Sequence, residues 1–293
     1  MRTIACLALL TACGGELEVE YRGSLSNMEV SGLAFNVDEP TGHASMLGQT
    51  CEFNADGGGL MQDIDAAPSE EDEQVVDLWD HRLLAISPAG LHVVTLFEEV
   101  WEKPEIAHHA LEDVVDAGFS ADGELVALTR TDARCTVRWL SAGATLKLGA
   151  CDPDVELVTD PRSRRAWVRD ADAVFAVDPR RPRSVATGTH LAFNPQLDAL
   201  YVSDRDELVR LDPLTGDEVW RRFLGGRITS ISGHGPTGAL AMNSRRTLAS
   251  VDPDGGVRAA FTLPEQARVV GSGDGVFLAF LLDRSVHFHT LEL

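Results

Sequence analysis

Apolar and polar positions alternate with a period of two along most of this chain, in short runs broken by Gly, Pro and Asp. Nowhere does a 3.6-residue period last long enough for an amphipathic helix. The pattern predicts many short strands joined by tight turns. The turns recur. Ile86-Ser87-Pro88-Ala89-Gly90, Phe119-Ser120-Ala121-Asp122-Gly123, Val158-Thr159-Asp160-Pro161, Phe193-Asn194-Pro195, Gly233-His234-Gly235-Pro236 and Gly271-Ser272-Gly273-Asp274-Gly275 each follow one apolar strand and precede another, about 33 to 40 residues apart. A second series, Val177-Asp178-Pro179, Leu211-Asp212-Pro213 and Val251-Asp252-Pro253, sits inside these units. Asp accepts hydrogen bonds from nearby backbone N–H groups and Pro presets φ, so these Asp residues belong to hairpin tips and not to a catalytic array.

Four short strands in a unit of about 40 residues are the signature of an all-β, single β-propeller. The length of the chain gives about seven four-stranded blades, with six to eight possible. The last unit, Ala267 to Leu293, has room for three strands only, around Val269-Val270, Gly275–Leu282 and Ser285–Leu293. Glu16-Leu17-Glu18-Val19-Glu20-Tyr21 alternates acidic and apolar residues as a half-exposed edge strand does, and is expected to supply the fourth. Residues 16–21 would then close the ring by pairing with 285–293, which removes an exposed edge. The propeller is expected over residues 16–293. The stretch 56–74, Gly-rich and then acidic, shows no clear alternation and reads as an irregular acidic loop of the first blade.

Leu200-Tyr201-Val202-Ser203 followed by Glu207-Leu208-Val209-Arg210-Leu211-Asp212-Pro213-Leu214-Thr215-Gly216-Asp217-Glu218-Val219-Trp220-Arg221 resembles a PQQ-like propeller repeat, and equally the YVTN-type repeats of bacterial surface propellers. Phe119-Ser120-Ala121-Asp122-Gly123 through Val137-Arg138-Trp139 is similar to a WD40-like blade, as is Leu78-Trp79-Asp80 before Ile86-Ser87-Pro88. The similarity runs over about residues 76–293 and implies the propeller superfamily without choosing a subfamily. The adjacent Cys pair of quinoprotein dehydrogenases is missing and their tryptophan pattern occurs once, at Trp220, so no cofactor is expected.

The N-terminus reads as an address. Met1-Arg2 precedes the short apolar run Thr3-Ile4-Ala5-Cys6-Leu7-Ala8-Leu9-Leu10, which ends in small residues, as a signal peptide does. Leu10-Thr11-Ala12-Cys13 resembles a bacterial lipobox, which implies a lipoprotein signal peptide over 1–12 and a lipidated (palmitate-bearing) Cys13 opening a short tether, 13–15. The resemblance also implies the outer membrane, because position 14 is Gly and not Asp. Export places the remaining cysteines in an oxidising compartment. Of Cys51, Cys135 and Cys151, the last two flank an expected hairpin. Pairing Leu140 with Thr145 sets Cys135 opposite Ala150, and a bulge before Asp152-Pro153 would let Cys135 and Cys151 form a disulfide. The fate of Cys51 stays open.

Charge sharpens the picture. The chain carries 46 acidic and 25 basic residues, and between Gly14 and Ala117 there are 23 acidic residues against Arg22, Arg82 and Lys103. An acidic surface repels phosphate backbones, so nucleic-acid binding is not expected. The run Ser69-Glu70-Glu71-Asp72-Glu73, with Asp63 and Asp65 before it, has two readings: a solvated loop, or a face for a basic partner or a divalent cation. The first is simpler.

Catalytic signatures are sparse. Nucleophile-elbow, phosphate-loop and paired-histidine helix motifs do not occur. His287 and His289, two apart on an expected strand, share a face and form a metal-site candidate that needs one or two further ligands. The simpler reading is two polar residues near the closure. His108-His109 would point to opposite faces if extended, and read as part of a solvated loop beside Glu112 and Asp113. The expectation is a non-enzymatic envelope lipoprotein, attached to the membrane through Cys13, that docks another envelope protein. The alternative is a lactonase-like propeller hydrolase using loop carboxylates and a divalent ion at the channel.

Overall fold

The computed structural model describes residues 18–26, 30–35, 41–46, 49–54, 59–64, 74–79, 82–95, 105–179, 181–263, 265–271, 275, 277–282 and 285–292. The expected signal peptide, Cys13 and the expected tether, with Glu16 and Leu17, lie outside these residues, as do Asp65 and 70–73. The regular elements are strands, apart from single 3-10 turns at Ala121–Gly123 and Gly235–Thr237.

Strand β1 (Glu18–Ser26) comes first. Blade 1 follows with β2 (Val30–Phe35), β3 (Thr41–Met46), β4 (Gln49–Asn54) and β5 (Gly59–Ile64). Blade 2 holds β6 (Gln74–Trp79), β7 (Arg82–Ser87), β8 (Gly90–Thr95) and β9 (Glu105–Ala110). Blade 3 holds β10 (Val114–Phe119), β11 (Leu125–Thr131), β12 (Arg134–Trp139) and β13 (Ala144–Ala150). Blade 4 holds β14 (Glu156–Thr159), β15 (Ala166–Asp170), β16 (Ala173–Val177) and β17 (Pro182–Thr187). Blade 5 holds β18 (His190–Asn194), β19 (Ala199–Asp204), β20 (Glu207–Leu211) and β21 (Glu218–Phe223). Blade 6 holds β22 (Ile228–His234), β23 (Gly238–Asn243), β24 (Thr247–Val251) and β25 (Val257–Thr262). Blade 7 combines β26 (Arg268–Gly271), β27 (Phe277–Leu282) and β28 (Ser285–Glu292) with β1. Among the described residues these make seven four-stranded antiparallel sheets, and the inner strands touch in the cycle β2, β6, β10, β14, β18, β22, β26 and back to β2. The architecture is a single β-propeller.

Strand β1 pairs with β28 from Glu18↔Glu292 to Ser26↔Ser285. The pairing runs past Tyr21 because one irregularity between Tyr21 and Gly23 absorbs Arg22 and lets the ladder continue.

The core lies between the blades. Each sheet packs one face on its neighbour, and alternation along a strand serves the two faces in turn. Leu128, Val137 and Trp139 of blade 3 meet Leu157 and Val168 of blade 4. Trp167 and Val174 of blade 4 meet Leu200 and Val202 of blade 5. Tyr201 and Leu208 of blade 5 meet Ala239 and Ala241 of blade 6. Each large side chain so buried contributes roughly 1.5–3 kcal/mol.

Several expectations need correction. The stretch 56–74 is not irregular throughout: residues 59–64 form β5, the outer strand of blade 1, and Gln74 opens β6. The Gly run ahead of Leu60 and a bulge in β5 at Met61, opposite Glu52 and Phe53, hide the period-two signal, while pairing to β4 fixes the strand. Asp63 therefore stands on a strand opposite Cys51. His108 and His109 lie on edge strand β9 and not in a loop. The turn Ile86–Gly90 is out of phase with its supposed equivalents, since it joins the second and third strands of blade 2 whereas the turn at 120–124 joins first and second. Blade 2 instead passes from inner to second strand between Trp79 and Arg82, a junction too short to carry the Ser/Asp/Gly signature.

The Asp-Pro hairpin tips follow the expected chemistry. Asp212 accepts the N–H groups of Leu214 and Thr215, both at 2.8 Å, and Asp252 accepts those of Asp254 and Gly256 at 2.9 and 2.7 Å. The carbonyl of Pro253 then receives Arg210 and the Trp220 indole from blade 5, at 2.6 and 2.9 Å, so one turn also locks a blade seam.

Candidate functional site: the central channel

The inner strands present polar side chains to the next blade's backbone at every described junction from blade 2 to blade 7. Asp77 Oδ2 accepts the Phe119 N–H at 2.8 Å, and Asp116 Oδ2 accepts the Leu157 N–H at 2.7 Å. Each carboxylate uses Oδ1 for the N–H of its own successor, Leu78 or Ala117, at 2.9 Å. Glu156 is bonded to the Leu191 backbone and His190 to that of Ile228. Ser230 and Ser232 accept the N–H groups of Val269 and Gly271 at 3.1 and 3.0 Å. Backbone groups at a buried strand edge must find partners, and these side chains supply them across the seams between sheets, as acceptors except for His190, which donates.

Burial against the channel wall shifts these groups. Desolvation pushes the Asp116 carboxyl up to about 7, with Glu156 adding to the rise and the Leu157 N–H opposing it. Asp77 is pushed up to about 6 for the same first reason, against the N–H groups of Phe119 and Leu78. Glu156 is raised by burial despite its ion pair with Arg169 at 3.1 Å. His190 is held below the usual imidazole range by burial and by Arg169 and Arg227.

A bulge recurs ahead of the polar position. Register shifts fall between Val75 and Asp77, Val114 and Asp116, and Ile228 and Ser230, and also between Val30 and Gly32. The extra residues Val76, Val115 and Thr229 line a cavity of about 590 Å³ at the end where the inner strands start, together with Ile231, Glu156, His190, Gln266 and Arg268. A smaller space of about 280 Å³ lies toward their other ends, beside Asp77, Gly118, Thr159, Asn194 and Gly271. The sequence reading missed this wall, although a signal was present. Val75-Val76-Asp77 and Val114-Val115-Asp116 repeat the same three residues 39 positions apart, and each closes on a bulge.

The expected site residues are scattered. Cys135 and Cys151 are joined in a disulfide. The register that joins them differs from expectation. Trp139 pairs with Ala144, the bulge falls opposite Cys135–Thr136, and Cys135 faces Gly149 instead of Ala150. Gly149 takes φ +96°, which its lack of a Cβ permits, and the Cys151 N–H reaches the Ala133 carbonyl at 3.0 Å. His287 and His289 share a face of β28, where the His289 ring meets Phe280 edge-on at 5.1 Å. Burial, then His287, lowers the His289 imidazole to about 4. Among the described residues no third His, Cys, Asp or Glu joins them in a metal-holding group. His108 packs against His92, ring centres 4.8 Å apart, across the β8–β9 pair.

The most exposed apolar side chains lie elsewhere, on the outer edge of blade 5. Leu214 at the hairpin tip and Phe223 at the end of β21 are 67% and 66% exposed, and Val219 is 54%. Val219 is the extra residue of a bulge in β21 and Phe223 ends that strand, both exposed, while Trp220 between them is buried.

No protein-family model and no curated protein matches the sequence. Among solved structures the chain is similar to the WD40 β-propeller domain of Doa1, with a TM-score of 0.64 and 16% identity over 93% of this chain and 97% of that one. At that identity the likeness speaks for the fold alone. In fold, then, the chain is a WD40-like, all-β propeller with four-stranded blades.

Proposed function

We propose that this chain is a cell-envelope lipoprotein whose propeller, a closed seven-bladed ring with β1 as the closing strand of the last blade, is a non-enzymatic docking module for another envelope protein. The observation that carries the reading is the outer edge of blade 5. There the outer strand β21 exposes Val219 and Phe223, and the hairpin that leads into it exposes Leu214. Exposed apolar groups beside free backbone donors and acceptors suit a protein partner. The N-terminal sequence supports the anchor, with lipid on Cys13 attaching the ring to the outer membrane and only Gly14-Gly15 between lipid and propeller. The acidic residues Asp63, Asp65 and 70–73 are a second candidate contact, for a basic partner.

The lactonase-like alternative draws less support. It needs carboxylates free to hold an ion, whereas Asp77 and Asp116 accept backbone N–H groups through both oxygens and Glu156 is paired with Arg169. The test is a photo-crosslinker at position 223 in intact cells. A discrete adduct that disappears on Val219→Ser supports docking, and its absence from every envelope fraction removes the reading. Cys13→Ala should release the protein from membranes and abolish palmitate labelling.

A further inference from the structure

We propose that the wide end of the channel binds a small amphipathic anion, its acidic head at Arg268 and its apolar body against Val76, Val115 and Ile231. The cavity there, about 590 Å³, lies within the usual range for small-ligand sites.

Its wall is divided by chemistry. Bulges in the inner strands of blades 2 and 3 insert Val76 and Val115, and Ile231 continues the apolar side from blade 6. Val115 is 40% exposed, an unusual position for a large apolar residue on an innermost strand. A bulge re-aims a side chain at some cost to the ladder, and two equivalent bulges feeding valine into one cavity point to a surface kept for a ligand. Blades 4, 5 and 7 lack that bulge and bring Glu156, His190 and Arg268 instead.

The charges on the polar side are unequally answered. Arg169 gives Nε to Glu156 and its other nitrogens to the carbonyls of Ala171 and Asp154. Asp116 is held by two backbone N–H groups. Arg268 lines the same cavity and is exposed, and among the described residues it makes no direct hydrogen bond or ion pair, although Asp116 and Glu156 feel its charge. A guanidinium in that position suits a carboxylate or a phosphate, which it can grip with two parallel bonds. Beside it, Gln266 donates to Thr229 at 2.6 Å, and burial with Arg169 and Arg227 holds His190 below the usual imidazole range.

Isothermal titration of the full chain with octanoate, octyl phosphate and octylammonium tests the site. At least one anion should bind tenfold or more tightly than the cation, and the tighter of the two identifies the head group. Arg268→Gln should weaken anion binding at least tenfold, and Val115→Ser several-fold. Because both side chains are exposed, neither variant should change the unliganded melting temperature appreciably. Methyl NMR on the unaltered protein gives an independent readout, with octanoate shifting the Val76 and Val115 signals ahead of other valines. Failure of both anions to bind at roughly 5 mM, equal binding of octylammonium, or equal affinity in Arg268→Gln would each overturn the proposal.

Discussion

The carboxylate of Asp116 accepts the backbone N–H of Leu157 at 2.7 Å, across the seam from blade 3 to blade 4 and 41 residues along the chain. Asp77 makes the same bond to Phe119 one blade earlier. These acids are fasteners with a proton-dependent cost. Burial raises Asp116 from 3.8 to about 7, so between these values the folded state binds more protons than the unfolded chain. Its contribution to stability is therefore most favourable in acid and declines as pH rises from about 4 to about 7. Denaturant titrations from pH 4 to 8 should show Asp116→Asn gaining on the unaltered protein as pH rises, by on the order of 1–3 kcal/mol in all. A difference independent of pH would contradict this assignment.

His289 works in the opposite sense. Its imidazole falls from 6.5 to about 4 through burial beside Phe280 and His287, so the unfolded chain takes the proton first. The stability it allows is complete above about 6.5 and is lost as pH drops toward 4. His289→Gln should flatten that acid limb by about 1 kcal/mol per pH unit where the effect is steepest. The comparison at each pH with the unaltered protein separates it from the Asp116 effect, and an unchanged acid limb would refute it.

Much of this architecture could be read from residues adjacent in the chain. Asp212-Pro213 and Asp252-Pro253 announce hairpin tips because the Asp–backbone bonds span only two to four residues. The Cys135–Cys151 hairpin and the strands of the last unit were legible for the same local reason. The channel was not. Its seam bonds join Asp77 to Phe119 and Asp116 to Leu157, and its wall depends on bulges at Val76 and Val115. A single extra residue breaks alternation just as a strand end does, so the pattern reads as noise until the partner strand is seen. The out-of-phase turn at Ser87–Gly90 misled for a related reason, since composition marks a turn without saying which pair of strands it joins.

The disulfide should matter as a constraint on the unfolded chain. Cys135 and Cys151 are 16 residues apart, and closing a loop of that size is worth about 3 kcal/mol in the chain-entropy account. The double change Cys135→Ser and Cys151→Ser should lower stability by about that amount and make the remaining transition insensitive to reductant. An unaltered protein already indifferent to reductant, with both thiols titratable after denaturation, would show that the bond does not form.

Asn194 tests the idea that single polar side chains, and not core area alone, hold adjacent blades in register. It is fully buried between blades 5 and 6. Its amide donates to the carbonyls of Gly235 and Gly238 at 2.7 and 2.8 Å, while its oxygen accepts the N–H groups of Gln196 and Leu197 at 3.1 and 3.2 Å. Asn194→Ala removes the side-chain partner of all four backbone groups, of which the two carbonyl bonds are buried, and should cost about 2–4 kcal/mol. Asn194→Asp keeps the shape and the two acceptor bonds but turns the donor into an anion facing two carbonyl oxygens, so it should be at least as damaging at neutral pH and should recover in part when acid protonates it. Chemical denaturation of the two variants at pH 4.5 and 7.5 distinguishes the cases. If the Asp variant is as stable as the original at pH 7.5, the donor bonds to Gly235 and Gly238 are not what joins these blades.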